Sequence, residues 1–489
     1  MATKKGRANR KKRESFSLSA FTIILLLIFA LGIISHLLPS AQFDAAKNLV
    51  DGSGVVGAAL SQTLLAPILG FADAIDICVF VLILGAFLKV VNKTEAIEDG
   101  IESLVKKLKG HELILIPILM FLFSIGGTTY GMLEETVGFY ALLAAVMVAA
   151  GMDTVVSSAV VLLGAGSGVL GSTVNPFAVG AAISALPEGI EVNQGIIISL
   201  GVLLWISSYI ICTLFVMAYA RKVIKKKGSI LTANEKREMM ETYADDDDEP
   251  HHKLSGRQVI TLILFFFTFV VMIIGFIPWA DLSEPIANFF SKYTGILTGA
   301  PLGEWYFNEA SLWFLIMTIV IGVVNRMREH ELVDTIVDGA DDMVGVILVI
   351  ALARGASVLM KQTYLDNYII INAANALKNV PAIVFAPVNY ILHAILSILV
   401  PSSSGLATLS APIMGPLAHQ VGFSVEATIM EMVAANGLVN LFTPTCGAIM
   451  GGLALAKVQY TTWLKWVGKI IVLLAIVNIV ILTAAMLVL

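Results

Sequence analysis

The chain has 489 residues, of which 57% are hydrophobic and 14% charged, with a net charge of -5. Soluble domains carry about 25% charged residues, so composition excludes an ordinary globular protein. The apolar residues fall in blocks of roughly twenty, the length with which a helix crosses ~30 Å of hydrocarbon, and the class is an all-α polytopic membrane protein.

Residues 1–17 form a basic N-terminus, with Lys4, Lys5, Arg7, Arg10, Lys11, Lys12 and Arg13 against one acid, Glu14. The uncharged run Leu18–Leu38 that follows is longer than the ~7–15 residues of a signal-peptide core. It reads as a retained first helix with its N-terminus in the cytoplasm. Positive-inside anchoring suffices for the basic stretch, and no nucleic acid is expected as a partner.

A first membrane half spans residues 18–227. Val55–Phe71, interrupted by Gln62, Pro67 and Gly70, is a re-entrant helix, an interfacial helix or a short crossing. Ile75–Val91 is a span, and Lys93–His111 an amphipathic helix on the membrane surface. Between the apolar runs Leu113–Phe123 and Phe139–Ala150 lies Ile125–Gly138, where glycines and hydroxyl residues interrupt the helical pattern beside Glu134 and Glu135. Irregular backbone survives at membrane depth only inside protein or beside a water-filled cavity. Ionisable groups there cost roughly 2.5–3.5 kcal/mol each on insertion scales, so a helix broken at two acids is a site hypothesis by default.

After a turn at Gly151-Met152-Asp153, a second helix is predicted to break within Gly164–Pro176, a stretch carrying Ser172, Thr173 and Asn175. Ile196–Tyr219 crosses next and ends in Arg221, Lys222 and Lys225–Lys227. Residues 228–256 read as a flexible hydrophilic cytoplasmic linker containing Asp245–Glu249. Its acids with His251-His252 could be read as a metal site, but a solvated tether accounts for them.

The second half, 257–489, begins with the crossing Val259–Trp279, an outer loop at Pro285–Asn308 and a crossing at Leu312–Val324 before Arg326 and Arg328. Val344–Leu359 is apolar except for Arg354, and Tyr364–Leu377 is amphipathic. Ile383–Val400 holds His393, read as a hydrogen-bonded core histidine. A polar break follows at Pro401–Pro412, and after it come Glu431, Asn436, Asn440, Thr443 and Thr445, then a terminal span at Ile470–Leu489. Cys78, Cys212 and Cys446 lie far apart in apolar surroundings, as buried inert thiols do.

The halves resemble each other in order. Gly85 matches Gly322, Ile97-x-Asp99-Gly100 matches Ile336-x-Asp338-Gly339, and Thr128-Thr129-x-Gly131 matches Ser402-Ser403-x-Gly405. Gly151 matches Gly422, and Asn175-Pro176 matches Thr443-Pro444. Repeats with broken helices at corresponding places point to a secondary transporter with its site near the bilayer midplane. Close packing of small residues explains the glycines but not the paired hydroxyl clusters. The relative orientation of the halves stays open.

At Gly126–Glu135, at Asp338-Gly339-Ala340 through Ala353-Arg354-Gly355, and at Pro401–Gly405, the chain resembles the YfcC family. That family lies within the anaerobic dicarboxylate carrier group of the ion transporter superfamily. The resemblance implies a cytoplasmic-membrane carrier with two structural repeats, each with a re-entrant hairpin and a broken transmembrane helix, working by an elevator motion. It also implies arginine/ornithine-type exchange of basic amino acids, or, from more distant relatives, dicarboxylate transport. By analogy a homodimer suits the architecture.

The expected substrate-binding residues are Thr128, Thr129, Gly131, Glu134, Glu135, Ser172, Thr173, Asn175, Arg354, Ser402, Ser403, Ser404, Gly405, Asn436, Asn440, Thr443 and Thr445. Adjacent acids repel a dianion, whereas a carboxylate fork suits a guanidinium. A basic amino acid places its cationic end on Glu134 or Glu135 and its α-carboxylate on the Ser402–Ser404 N–H groups or on Arg354. Neighbouring helical residues point ~100° apart, so one of the two acids faces the site. The competing role for Arg354 is an internal ion pair with one of these acids or with Glu431. HExxH, GxSG and paired catalytic aspartates are absent, so no enzyme is expected, and no cofactor. Sodium or proton coupling and pure antiport both stay open, and a dicarboxylate or other carboxylate is the alternative cargo. A scaffold or receptor is disfavoured because the only sizeable soluble part is the short tether, too small to fold as a domain.

Overall fold

A computed structural model describes residues 20–44, 49–50, 52–97, 99–100, 112–225, 228–243, 254–277 and 279–489. The basic N-terminus, most of the expected surface helix after Lys93, the Asp245–Glu249 run with His251-His252, and the Glu135 side chain lie outside the described residues. Apart from isolated bridges at Ser40–Val55 and Phe43–Leu49, regular structure among the described residues is helical.

The longer helices of the first half are α1 (Ala20–Leu37), α2 (Leu60–Asp73), α3 (Ile75–Asn92), α4 (Leu115–Tyr130), α5 (Val137–Ala149), α6 (Thr154–Gly171) and α7 (Gln194–Ile224). A polar helix, α8 (Ala233–Tyr243), precedes α9 (Gly256–Phe276), α10 (Glu284–Tyr293), α11 (Phe307–Val324) and α12 (Glu329–Asp341). The remainder are α13 (Val344–Thr363), α14 (Leu365–Leu377), α15 (Ala382–Leu399), α16 (Ser403–Val421), α17 (Val425–Val439), α18 (Gly447–Leu455) and α19 (Tyr460–Val488). Nine helices among the described residues are long and apolar enough to cross a membrane. The chain is an all-α multi-pass membrane protein.

Two helices form the centre. Every residue of α6 is buried, as is every residue of α17 except Glu426. A helix buried all round has no face to give to water or lipid, and these two pack on each other and are enclosed by α4, α5, α7, α15, α16 and α19. Small residues permit the contact between α4 and α6. A Cβ on Gly127 would strike the Ala165 carbonyl, and one on Gly168 would stand 2.6 Å from the Thr128 nitrogen. Gly126, Gly127, Gly164, Gly166 and Gly168 are therefore helical, so the early part of each stretch expected to break, 125–138 and 164–176, continues the helix. These glycines pack helices; the breaks come later, after Tyr130 and after Gly171.

Gly151 and Gly422 have φ of +75° and +79° with open space around a would-be Cβ, so conformation alone explains glycine there. Each stands two residues before an N-cap. Asp153 accepts from Val156 N at 3.1 Å and starts α6, and Ser424 accepts from Ala427 N at 3.1 Å and starts α17. A second cluster joins α3, α9, α11 and α12, with Phe80, Phe87, Phe265, Phe269 and Phe314 stacked edge to face or in parallel. α2 lies along α13, and α13 also touches α18.

Two loop expectations change. The described start of the hydrophilic linker, residues 228–243, is folded rather than a loose tether. Ser229 Oγ and Tyr219 OH donate to Asp153 Oδ2 at 2.5 and 2.6 Å. Glu235 is buried and accepts from Thr232 N at 2.7 Å and from Gln459 N at 2.9 Å, while Tyr243 OH donates to the Leu455 carbonyl. The loop between α9 and α11 also contains structure, because α10 occupies its first part.

Candidate functional site

The first break begins where α4 stops. Gly131 is left-handed at φ +78°, Leu133 is irregular, and Glu134–Thr136 form a short 3-10 turn into α5. The second begins at Ser172, which holds φ +37° without being glycine. Such a residue persists only where its surroundings fix it. Its Oγ donates to Val169 O at 2.7 Å and accepts from Asn175 Nδ2 at 3.0 Å. Asn175 Oδ1 in turn accepts from Phe177 N at 2.9 Å, starting the π-helical turn Pro176–Gly180.

These breaks are tied together. Thr128 Oγ1 accepts from Thr173 N at 3.2 Å, and Thr173 Oγ1 donates to the Thr128 carbonyl at 3.2 Å. Thr129 Oγ1 turns back to the Ile125 carbonyl at 2.7 Å. In the other half, Ser402 caps α16 by accepting from Gly405 N at 3.2 Å. Ser403 Oγ donates to Asn436 Oδ1 at 2.9 Å, while Asn436 Nδ2 and Asn440 Nδ2 donate to the Pro401 carbonyl at 3.3 and 3.0 Å. Thr445 Oγ1 donates to Ile398 O at 2.7 Å, and Thr443 shares a 2.7 Å bond with Thr445.

The breaks enclose a small cavity of about 100 Å³, open at its mouth. Eight sequence-predicted residues line it, namely Gly131, Glu134, Asn175, Arg354, Ser402, Ser403, Ser404 and Asn440. Residues far apart in sequence thus meet, with both halves contributing. Thr128, Thr129, Ser172, Thr173, Gly405, Asn436, Thr443 and Thr445 do not line it. Their hydrogen bonds hold the lining segments in place.

Ile77, Tyr130, Leu133, Phe177, Phe307 and Pro401 complete the walls and were not predicted. Ile77 and Phe307 sit at the starts of long apolar helices, where nothing in the sequence distinguishes them. Phe177 directly follows the Asn175-Pro176 motif, the one local signal that pointed near it.

Arg354 finds a partner that sequence reading missed. Its Nε lies 3.8 Å from Oδ2 of Asp73, the last residue of α2. The expected ion pairs of Arg354 with Glu134 or Glu431 are not formed within 4.0 Å among the described residues. Glu431 is fully buried in α17, outside the cavity, with its Oε2 accepting from Asn389 Nδ2 at 2.7 Å. His393 is the satisfied core histidine expected, its Nδ1 2.8 Å from Asn389 O and its Nε2 2.6 Å from Ser410 Oγ. Among the described residues, the cavity and its immediate surround therefore combine the Arg354 guanidinium, the carboxylates of Glu134, Asp73 and Asp76, and the start of a long helix.

The C4-dicarboxylate anaerobic carrier family, DcuC, matches residues 18–487. The chain belongs to the DcuC family. An uncharacterized Haemophilus influenzae protein is 30% identical over 404 residues, covering 82% of this chain and 74% of its own. Escherichia coli YfcC, named as a proposed basic amino acid antiporter, is 26% identical over 430 residues, covering 85% and 78%. Two solved structures are also similar. The Alcanivorax borkumensis YdaH transporter has a TM-score of 0.46 at 16% identity, covering 96% of this chain and 98% of its own. Neisseria gonorrhoeae MtrF, from a class of antimetabolite efflux pumps, has a TM-score of 0.43 at 16% identity, covering 97% and 96%. This DcuC-family chain is a multi-pass membrane transporter, and its substrate is a small molecule.

Proposed function

We propose that this transporter exchanges basic amino acids across the cytoplasmic membrane, with the cavity as its binding site. The observation that carries the reading is the charge inventory. Arg354 is paired with Asp73, whereas Glu134 faces the same cavity with no ion pair within 4.0 Å among the described residues. A carboxylate at this depth with no cation in direct contact is costly, and a cationic cargo offsets that cost.

The other end of the cargo has a place too. The first turn of a helix leaves N–H groups without intrahelical partners and carries partial positive charge. Ser402–Ser404 set the start of the 19-residue α16 at the cavity wall. An α-carboxylate fits there, with Arg354 nearby, while the guanidinium or ammonium reaches Glu134. The name of the YfcC relative agrees with this reading. The family's description favours a C4-dicarboxylate instead, and the unpaired Glu134 argues against a dianion in this chain.

The test is counterflow in proteoliposomes with labelled arginine, ornithine, lysine and succinate. Arginine and ornithine are expected to exchange. Succinate moving faster than arginine would reverse the assignment.

A further inference from the structure

Away from the cavity, the fully buried Glu431 on α17 meets Asn389 on α15. The pair is incompletely bonded. Glu431 Oε2 accepts from Asn389 Nδ2 at 2.7 Å, but Glu431 Oε1 and Asn389 Oδ1, both buried, have no partner. Two orphaned acceptors in one side-chain pair lack a single thing, a donor. A buried acceptor left bare is destabilising.

A carboxylic acid and a primary amide pair face to face through two hydrogen bonds, N–H···O and O–H···O. One proton on Oε1 would supply the second bond and satisfy both oxygens at once. A metal cation fits poorly, because hard divalent cations take about six to eight oxygen ligands and this pair has two free. We propose that Glu431 and Asn389 form a proton-binding site that loads and releases one proton during the transport cycle.

The surroundings suit a neutral acid. Of the helices packed on α17, α6 brings no ionisable side chain. Arg221 and Lys222 of α7, Lys465 and Lys469 of α19 and His419 of α16 are exposed, and Tyr209 of α7, Tyr460 of α19 and Glu426 of α17 itself are half-buried. The buried ionisable groups are His393 and Tyr390 of α15 and Cys212 and Tyr219 of α7. His393 gives its Nδ1 proton to Asn389 O and accepts Ser410 at Nε2. Tyr390 accepts from Asn478 Nδ2, and Tyr219 donates to Asp153. No described cation lies within 4.0 Å of Glu431 to hold it as a carboxylate.

The position also suits coupling. Both partners stand on helices whose C-terminal ends reach the cavity, α15 at Pro401 and α17 at Asn440. Glu431 is nine residues before Asn440, roughly 13 Å along the helix axis. Making or losing the second hydrogen bond changes the α15–α17 contact at a distance from the cargo. This inference rests on the chain being a carrier of the kind proposed above, and its test separates the two.

Infrared spectra of the purified protein in lipid read the proton directly. Wild type should show the carbonyl stretch of a protonated buried acid, and the band should fade as pH rises and be missing in Glu431→Gln. In proteoliposomes, Glu431→Gln mimics the protonated acid, so labelled arginine should still exchange in counterflow, while accumulation driven by a pH gradient is lost. No such band in wild type, a band unmoved by pH while the protein stays folded, or gradient-driven accumulation surviving in Glu431→Gln would each overturn the proposal. So would wild-type accumulation that follows sodium and ignores the pH gradient. If Glu431→Gln does not fold, Asn389→Ala should shift the wild-type band, since its acid loses its amide partner; an unshifted band counts against the pair. If wild type exchanges no arginine, the cargo assignment falls, and the infrared titration alone decides the proton site.

Discussion

Glu134→Gln is the most informative substitution, because it keeps the shape of the side chain and removes one charge from the cavity. With Arg354 beside Asp73, Glu134 is the described carboxylate on the cavity wall. A hydrogen bond to a charged group contributes about 1.5–3 kcal/mol, and 1.4 kcal/mol is about tenfold in affinity. Arginine affinity should therefore fall roughly 10- to 100-fold. Citrulline matches arginine in shape but carries an uncharged end, so its competition should not change. The assay is inhibition of labelled ornithine counterflow by arginine and by citrulline, in wild type and variant. An unchanged preference for arginine over citrulline in Glu134→Gln would refute the role given to this carboxylate. If Glu135→Gln also transports arginine normally, neither acid receives the cargo.

Asp73→Asn should release Arg354 toward Glu134 and weaken arginine binding. The pair is partly exposed and contributes only about 0–1 kcal/mol, so the melting temperature in detergent should hardly move. Gly131→Ala should abolish transport, since φ is +78° and the new Cβ would stand 2.6 Å from Asn175 Nδ2. Gly151→Ala, equally left-handed but with open space around it, should cost about 1–2 kcal/mol and leave transport intact; equal behaviour of the two in parallel uptake assays counts against the packing at the break. Gly168→Val should prevent α4 and α6 from meeting, at more than the ~1–3 kcal/mol of ordinary overpacking, visible as loss of a monodisperse peak on size exclusion. Glu235→Ala should undock residues 228–243, seen as faster cleavage there in limited proteolysis at an unchanged rate of transport.

The membrane helices were legible because hydrocarbon demands long apolar runs, and Ile75–Val91 and Val259–Trp279 fall within a few residues of α3 and α9. The breaks were legible as the stretches 125–138 and 164–176, and they occupy the later part of each. In water glycine costs a helix ~1 kcal/mol. Away from water, an unpaired backbone group costs several kcal/mol, so Gly126 and Gly127 stay helical. The helix ends only at Gly131, whose N–H still reaches the Gly127 carbonyl at 3.1 Å. Asp73 was not legible as Arg354's partner because it follows an ambiguous apolar segment and its meeting with α13 is purely tertiary. The same holds for Glu235, a carboxylate in a hydrophilic stretch that reads as solvated until Gln459 N is found beside it.

The division of labour among the polar residues follows from membrane physics. Ser, Thr and Asn at a break have the breaks' own bare backbone to satisfy before any cargo. Thr128, Thr173, Asn436 and Thr445 are all spent on that task. What stays available at the cavity wall is the charged residue Glu134 and the opening turn of α16. Selectivity on this argument lies in very few groups, held in position by many. Substitutions among the hydroxyls should therefore alter transport of every amino acid together, whereas Glu134 alone should change which one is chosen.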